Sequence, residues 1–472
     1  MTSPTVGSIR KLGFAALALI VVHAPVARAQ VIRSDFWVPN GGVTAIARSG
    51  NTIYIGGSFT AVGAIGGPPV ARNGLAAIDA TTGMATDWNP DANGLVAALA
   101  VRGNTVYAGG TFTNVGGQAR TYLAALDGTT GQATAWNPSP NADVFGLAVG
   151  DSTIFVAGDF IAVGSQLRGR VAEVSLASGL ATAFNPNPNG VAHALLVSGS
   201  TLYLGGDFTH IGGAYRSLVA ALDPATGLAT SWNPAISSAS DPDVRALALA
   251  GSTLYVGGYF DHCGGQLRSN LAAIDAGSGQ VTGWNPGASN RVLGLGLSGG
   301  SLFVDGEFLS LGGQSRDGMG AVDPVSGAAT AWDAGSNDRG LTLAASGGDV
   351  YVGGSFTQIG AQPRTYFAAF SDGTTGVGGH PVETRLALSA GSPNPAHGST
   401  VVAFTLPVAA RVSLALYDAQ GRLVRTLLDH APRPAGEHQV ALRTADLHPG
   451  LYFERLDVGG GARALAKLLV LE

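Results

Sequence analysis

From about residue 43 to residue 372 the chain is a succession of short apolar runs separated by Gly, Asn, Asp, Ser and Thr, with no sustained helical period. The stretch Val244 to Pro286 shows one full unit. Val244-Arg-Ala-Leu-Ala-Leu249 is short and small, and Gly251-Ser252 turns the chain. Thr253 to Phe260 alternates aromatic and β-branched residues and then reaches paired glycines, which inside a strand mark a bulge or a close backbone approach. Asp261 to Arg268 is predicted as a loop. A third strand, Leu271 to Asp275, follows, then the turn Ala276 to Gly279 and an outer strand ending at Trp284-Asn-Pro286. Turns of the form D-x-x-T-G suit a hairpin, because Asp and Thr bond local backbone and Gly supplies a positive φ.

This unit recurs seven times. A G-G-x-F-like tag places phenylalanines at Phe59, Phe112, Phe160, Phe208, Phe260, Phe308 and Phe356, with spacings of 53, 48, 48, 52, 48 and 48. A W-N-P landmark follows at Trp88, Trp136, Phe184, Trp232, Trp284 and Trp332. A period near 48 with four strands per unit predicts an all-β chain, a seven-bladed β-propeller with one unit per blade. The large aromatic near each outer-strand end reads as an anchor between blades. A further copy of the second landmark precedes the first tag, at Trp37, and none follows the last. An N-terminal strand carrying Trp37 is therefore expected to complete the final blade.

Two length changes interrupt the period. Five residues are added around Gly66-Gly67-Pro68-Pro69, between a second and a third strand, and four near Ser237 to Pro242, between an outer strand and the next inner one. In an up-and-down blade both connections emerge on one face, which is the expected binding face for an unknown glycan, polymer or protein. Eight residues after each tag comes an arginine: Arg120, Arg168, Arg216, Arg268, Arg316 and Arg364, with Arg72 as the seventh once the insertion is removed. These seven are candidate ligand-binding residues, a cationic crown for an anionic ligand. Their presence in every copy favours a structural role instead, each bonding carbonyls or an acidic residue of the adjacent blade, with Asp159, Asp207 and Glu307 as candidates.

Composition narrows the function classes. Glycine is high at 71 residues and charged residues are few at 12%, in keeping with many tight turns. The net charge of −5 exerts no pull toward nucleic acid or an anionic membrane. Residues 1–29 have the form of a secretory signal peptide. Arg10 and Lys11 precede the 11-residue apolar run Leu12 to Val22, and Ala27-Arg28-Ala29 sets cleavage between Ala29 and Gln30. No segment is long enough for a membrane span, and a monomer is expected. The only cysteine, Cys263, stands where the other repeats carry Val, Ile or Leu, so it reads as a buried thiol. Catalytic signatures are missing. His193, His210 and His262 fall in two repeats without metal-ligand spacing, and no G-x-S-x-G elbow or phosphate-binding loop occurs. Asn89-Pro-Asp91-Ala-Asn93-Gly94 looks like the opening of a calcium loop but has Ala100 at its twelfth position. No cofactor, metal or catalytic residue is assigned.

The stretch Val352-Gly-Gly-Ser-Phe-Thr-Gln-Ile-Gly360, with Arg364 and six sister copies, resembles the delta-60 repeat β-propeller family. That resemblance implies an exported or surface-associated propeller with no catalytic residues to carry over. A looser likeness to quinoprotein propellers fails, because Trp232 lies nine residues after Asp223, one more than the tryptophan-docking motif has. The tail resembles a FlgD-like Ig domain and the related C-terminal sorting domain of Por-type secretion. The matching blocks are Ser392-Pro-Asn-Pro395, Val412 to Arg422, Pro434 to His438, Pro449 to Phe453 and Lys467 to Leu471. Read from its residues, it is about seven alternating strands in an Ig-like β-sandwich.

The expected organisation is thus a signal peptide (1–29), a propeller (30–372), a linker (373–381) and an Ig-like sorting or attachment domain (382–472) that engages export or cell-surface machinery. The expected function is a secreted, non-enzymatic interaction scaffold or ligand-binding module. The alternative is an extracellular polysaccharide hydrolase or lyase acting in the propeller mouth. A His, Tyr or carboxylate cluster lining the axis in only some blades would favour the enzyme; uniform repeats favour the binder.

Overall fold

The structure, a computed structural model, describes residues 30–360, 362–372, 387–406, 410–433, 436–459 and 462–471. The expected signal peptide and linker lie outside the described residues. The chain divides into two compact units, Met1–Gly373 and Thr374–Glu472. All regular structure described is β.

Among the described residues the first unit holds seven successive antiparallel sheets, here sheets 1 to 7. Sheet 1 is Val43–Ser49, Thr52–Gly57 and Leu75–Asp79; sheet 2 is Val96–Arg102, Thr105–Gly110 and Leu123–Asp127; sheet 3 is Val144–Val149, Thr153–Gly158 and Val171–Ser175. Sheet 4 is Ala192–Ser198, Thr201–Gly206 and Val219–Leu222, and sheet 5 is Asp243–Ala250, Thr253–Tyr259 and Leu271–Asp275. Sheet 6 begins with Val292–Ser298, Ser301–Gly306 and Met319–Val322, and sheet 7 with Gly340–Ser346, Asp349–Gly354 and Phe367–Asp372. The second strands are buried on both faces. The outer strand is slighter than the pattern suggests. In sheets 1 to 5 it reduces to a single bridge, such as Ile274↔Val281, and only sheet 6 has a full fourth strand from its own repeat, Ala329–Asp333. The fourth strand of sheet 7 comes from the other end of the chain. Gln30–Ile32 pairs antiparallel with Phe367–Asp372, Ile32 opposite Phe370.

The landmark aromatics knit the sheets together. Trp88 meets Tyr54 of its own repeat edge-to-face at 5.1 Å and donates its indole N–H to Asp127 O at 3.0 Å in sheet 2. Trp136, Trp232 and Trp284 make the same indole bond into the following sheet. At the chain ends the expectation about Trp37 needs correcting. The residue buried in the landmark pocket is Phe36, packed on Tyr351 and Phe367, while Trp37 is half-buried. The strand that completes sheet 7 lies upstream of both. The aromatic pocket selects a ring, and the preceding phenylalanine fills it.

The predicted loop after each tag is in fact a tight hairpin, as in His262–Cys263 with Gln266–Leu267. In repeat 5 it also pairs with Ile236–Ser237, where the second insertion begins, and in repeat 1 the lengthened hairpin pairs with Val38–Pro39. Both insertions therefore lie beside small sheets of the same kind. Cys263 is buried here, and burial pushes its thiol up to about 12.

The second unit has seven strands in linked order. Ala387–His397, Ser399–Leu406 and Gly436–Arg443 form one group. Leu423–Arg433, Ala410–Asp418, Gly450–Val458 and Ala462–Val470 form the other, and a parallel bridge at Ala396↔Val470 joins the two. Val402, Phe404, Leu414, Leu416, Leu456 and Leu468 are among its core side chains.

Candidate functional site

The first strand of every sheet carries a bulge near its start, opposite a pair of second-strand residues that is Gly-Gly in five sheets, Ala157-Gly158 in sheet 3 and Asp305-Gly306 in sheet 6; in sheet 1 the register shifts between Val43 and Ala45. A bulge leaves one residue unpaired and re-aims its side chain. The seven bulged residues are Thr44, Ala97, Phe145, His193, Arg245, Leu293 and Leu341, and all seven line one cavity of about 570 Å³. Below them the cavity is lined by a uniform aliphatic layer that includes Ile46, Leu99, Leu147 and Leu195.

Close contact explains which glycines are invariant. A Cβ on the second glycine of each pair would strike the backbone carbonyl just before the bulge, as Gly57 would strike Gly42 O, so all seven copies keep glycine. A Cβ on the first glycine would strike a side chain of the next sheet, as Gly56 would strike Val96. That position can change if its neighbour changes with it. Ala157 faces a repeat that carries Ala192, and Asp305 faces one that carries Gly340, where valine is usual. Asp305 is fully buried, and neither carboxylate oxygen has a hydrogen-bond partner among the described residues. Burial pushes it up to about 8.

The mouth of the cavity is chemically lopsided. In sheets 1 and 2 the bulges are Thr44 and Ala97, and the residues before the tag phenylalanines are Ser58 and Thr111. Sheets 3 to 6 carry charge or rings at these places instead, with Phe145 and Asp159, His193 and Asp207, Arg245 and Tyr259, and Leu293 and Glu307, while sheet 7 has Leu341 and Ser355. Asp243 Oδ2 accepts from Arg245 Nε at 2.6 Å and lies 3.3 Å from Arg291 Nε, while its Oδ1 takes the Tyr259 amide. The Arg291 guanidinium stands 5.2 Å from the centre of the Tyr259 ring. No hydrogen bond or ion pair forms at the terminal Nη atoms of Arg245 and Arg291 among the described residues. His193 lies 6.3 Å from Phe145, ring to ring, with Nε2 3.8 Å from Asp207 Oδ2, too far for a hydrogen bond. Burial, helped by Arg245, pushes the imidazole down to about 4, so it is neutral at pH 7. Burial also raises the Asp207 carboxyl. Glu307 and Arg339 pair at 2.6 Å.

The expected crown residues behave differently. Arg72, Arg120, Arg168, Arg216, Arg268 and Arg316 each donate to the carbonyl of a threonine fourteen residues on, such as Arg120 to Thr134 O, and to the carbonyl just before themselves. Arg364 has no such segment in its own repeat and donates to Phe36 O and Arg33 O instead. The carboxylates suggested as partners lie elsewhere: Asp159 faces Arg170, Asp207 faces His193, and Glu307 faces Arg339. Of the three repeat histidines only His193 reaches the cavity. His210 meets Tyr215 edge-to-face, and His262 pairs with Asp261. Among the described residues no group of three or more His, Cys, Asp or Glu side chains is placed to hold a metal ion, and no helix is long and apolar enough to cross a membrane.

Sequence reasoning weighed invariant columns and passed over the variable ones. Lining up the repeats at the residue after each first-strand valine (or its replacement) would have displayed Thr, Ala, Phe, His, Arg, Leu and Leu as the most varied column of that strand.

Residues 392–471 match the secretion system C-terminal sorting domain family. This domain marks the chain as exported and either anchored or released at the cell surface. No curated protein matches the chain. Among solved structures it is similar to the extracellular domain of the one-component system protein BT4673 from B. thetaiotaomicron, with 12% identity over 94% of this chain and 59% of that one, TM-score 0.46. The WD40 β-propeller domain of Doa1 aligns at 10% identity over 73% and 98%, TM-score 0.47. The computationally designed Ika8 protein aligns at 14% over 70% and 96%, TM-score 0.44.

Proposed function

We propose that the first unit is a closed seven-bladed propeller of delta-60-type repeats that serves at the cell surface as a non-enzymatic binding module. In this reading its ligand enters the mouth of the central cavity, a leader ending at Ala29 starts export, and an Ig-like tail completes sorting. Closure is supported by the pairing of Gln30–Ile32 with sheet 7 and by the approach of Gly353 to Val43 of sheet 1. The carrying observation is the contrast between framework and mouth. The tag phenylalanines, second glycines and arginines are the same in every repeat, while the bulge residues differ and place their charged and aromatic members on one arc. A framework column must suit its own sheet, whereas a ligand needs only one copy of each contact. The test is a glycan and protein array probed with the mature chain and with Phe145→Ala and Arg245→Gln variants. Hits lost in both variants support the cavity mouth, and hits unaffected by either overturn it.

A second reading has its own observation. His193 and Tyr259, with Asp207 and Asp243 beside them, stand in sheets 4 and 5, a His, Tyr and carboxylate grouping of the kind a polysaccharide hydrolase or lyase would use. A buried neutral imidazole can accept a proton at neutral pH. Product release from polysaccharides, abolished in His193→Ala while binding persists, would establish this reading over the first.

A further inference from the structure

The mouth presents three kinds of surface at once, and their combination selects a ligand. The first is cationic. Arg245, which lines the cavity, donates its Nε to the Asp243 carboxylate, and Arg291 Nε is ion-paired with the same oxygen at 3.3 Å without a hydrogen bond; the Nη groups of both make no hydrogen bond or ion pair among the described residues. Two guanidinium forks fixed on one anchor match a planar carboxylate, which accepts two parallel N–H bonds. The second is apolar: the Phe145 ring and the aliphatic layer beneath it. The third is polar without net positive charge. Asp207, Glu307 and the neutral His193 accept hydrogen bonds beside the forks.

Charge counting separates the candidate anions. Arg170, Arg245, Arg291 and Arg339 stand against the five carboxylates Asp143, Asp159, Asp207, Asp243 and Glu307, so the mouth carries no net positive charge. A phosphate dianion or a dense polyanion would gain from the forks but meet repulsion from Asp207 and Glu307. A single carboxylate on a hydroxyl-rich ring meets no such conflict. Its charge goes to the forks, its hydroxyls donate to the acidic side chains, and its C–H face lies on Phe145. The cavity of about 570 Å³ is of the size that small-molecule sites use.

We infer that the cavity mouth recognises a uronate, a sugar bearing one carboxylate, through Arg245 and Arg291. The inference rests on the reading of this cavity as the binding site. The uronate can be a free sugar acid or a residue of an acidic polysaccharide.

The test is calorimetric titration of the full mature chain with galacturonate monomer, galacturonate trimer, the methyl-esterified trimer and inorganic phosphate. The trimer is expected to bind and its neutral ester to bind at least about tenfold more weakly. Arg245→Gln and Arg291→Gln should each weaken the trimer by a similar factor without affecting whatever the ester retains. Equal affinity for monomer and trimer assigns the free acid, and preference for the trimer assigns the polymer; either supports the inference. Ester and acid binding equally, phosphate displacing the trimer through Arg245, or no binding by any uronate would overturn it. The binding-module reading would survive all three if the array hits still depend on Phe145. Consumption of the trimer would support uronate recognition while overturning the non-enzymatic reading. The ester comparison needs no variant, so a folding defect in one arginine variant leaves the inference decidable.

Discussion

Asp305 buries a carboxyl without a hydrogen-bond partner among the described residues, and replacing it should show a pH-dependent gain in stability. The carboxyl rises from 3.8 to about 8. Between those values the native state holds a proton that the unfolded chain has released. Stability therefore falls as pH rises from about 4 to about 8, and the loss is complete above the folded value. Four pKa units correspond to roughly 5 kcal/mol, which is the ceiling on the penalty at high pH. Asp305→Asn preserves the shape and removes the titration. At about pH 4 both proteins bury an uncharged, unsatisfied group, so their stabilities should nearly coincide. By about pH 8 the variant should be more stable by several kcal/mol, toward that ceiling. His193 runs the opposite way: depressed to about 4 from 6.5, it contributes stability that is lost as pH falls through that window. It is common to both proteins and cancels in the difference. The assay is the urea midpoint of the mature chain and the variant at half-unit steps from about pH 4 to pH 9, read by tryptophan fluorescence. Parallel curves would refute the argument, because they would mean that the Asp305 carboxyl reaches water or a cation in solution.

Other consequences can be measured in the same way. Gly340→Val places a Cβ 2.5 Å from that of Asp305 and should cost more than about 3 kcal/mol, whereas adding Asp305→Gly restores the pairing of the other repeats and most of the stability; a double-mutant cycle gives the coupling. Phe36→Ala empties the pocket between Tyr351 and Phe367 and should destabilise the first unit by about 3 to 5 kcal/mol in thermal melts, while Trp37→Ala costs less. Arg216→Ala orphans Thr230 O and Tyr215 O and should cost about 1 to 3 kcal/mol, with array binding unchanged. A chain ending at Asp372 should melt as the first unit does in the full chain and keep its array hits, yet fail to reach or stay at the surface of its host, as fractionation would show.

The repeat was legible because its framework obeys local rules. Paired glycines announce a strand that another backbone crosses, D-x-x-T-G announces a hairpin, and a large aromatic every 48 residues announces a joint between sheets. What failed to read was long-range. Phe36 and Trp37 are adjacent aromatics, and only the pocket formed by Tyr351 and Phe367, more than three hundred residues away, chooses between them. The tag hairpins were missed because two-residue strands have no periodicity to detect.

The site was hidden by the same regularity that revealed the fold. In a repeat protein an invariant residue tells what every sheet needs, and the seven arginines answer that need with carbonyl bonds in six near-identical copies and one across the chain ends. A ligand contacts one arc of the cavity at a time, so its contacts have to differ between copies. The signature of binding is then a column that is allowed to vary where its neighbours are not. The bulge column fits that description because its backbone geometry is fixed by the glycine opposite, so its side chain can change without disturbing the sheet. Asp305 marks the limit of that freedom. One position along the same strand pairing, where the side chain points into the next sheet, a new carboxylate was tolerated only with glycine at position 340, and it remains buried without a partner.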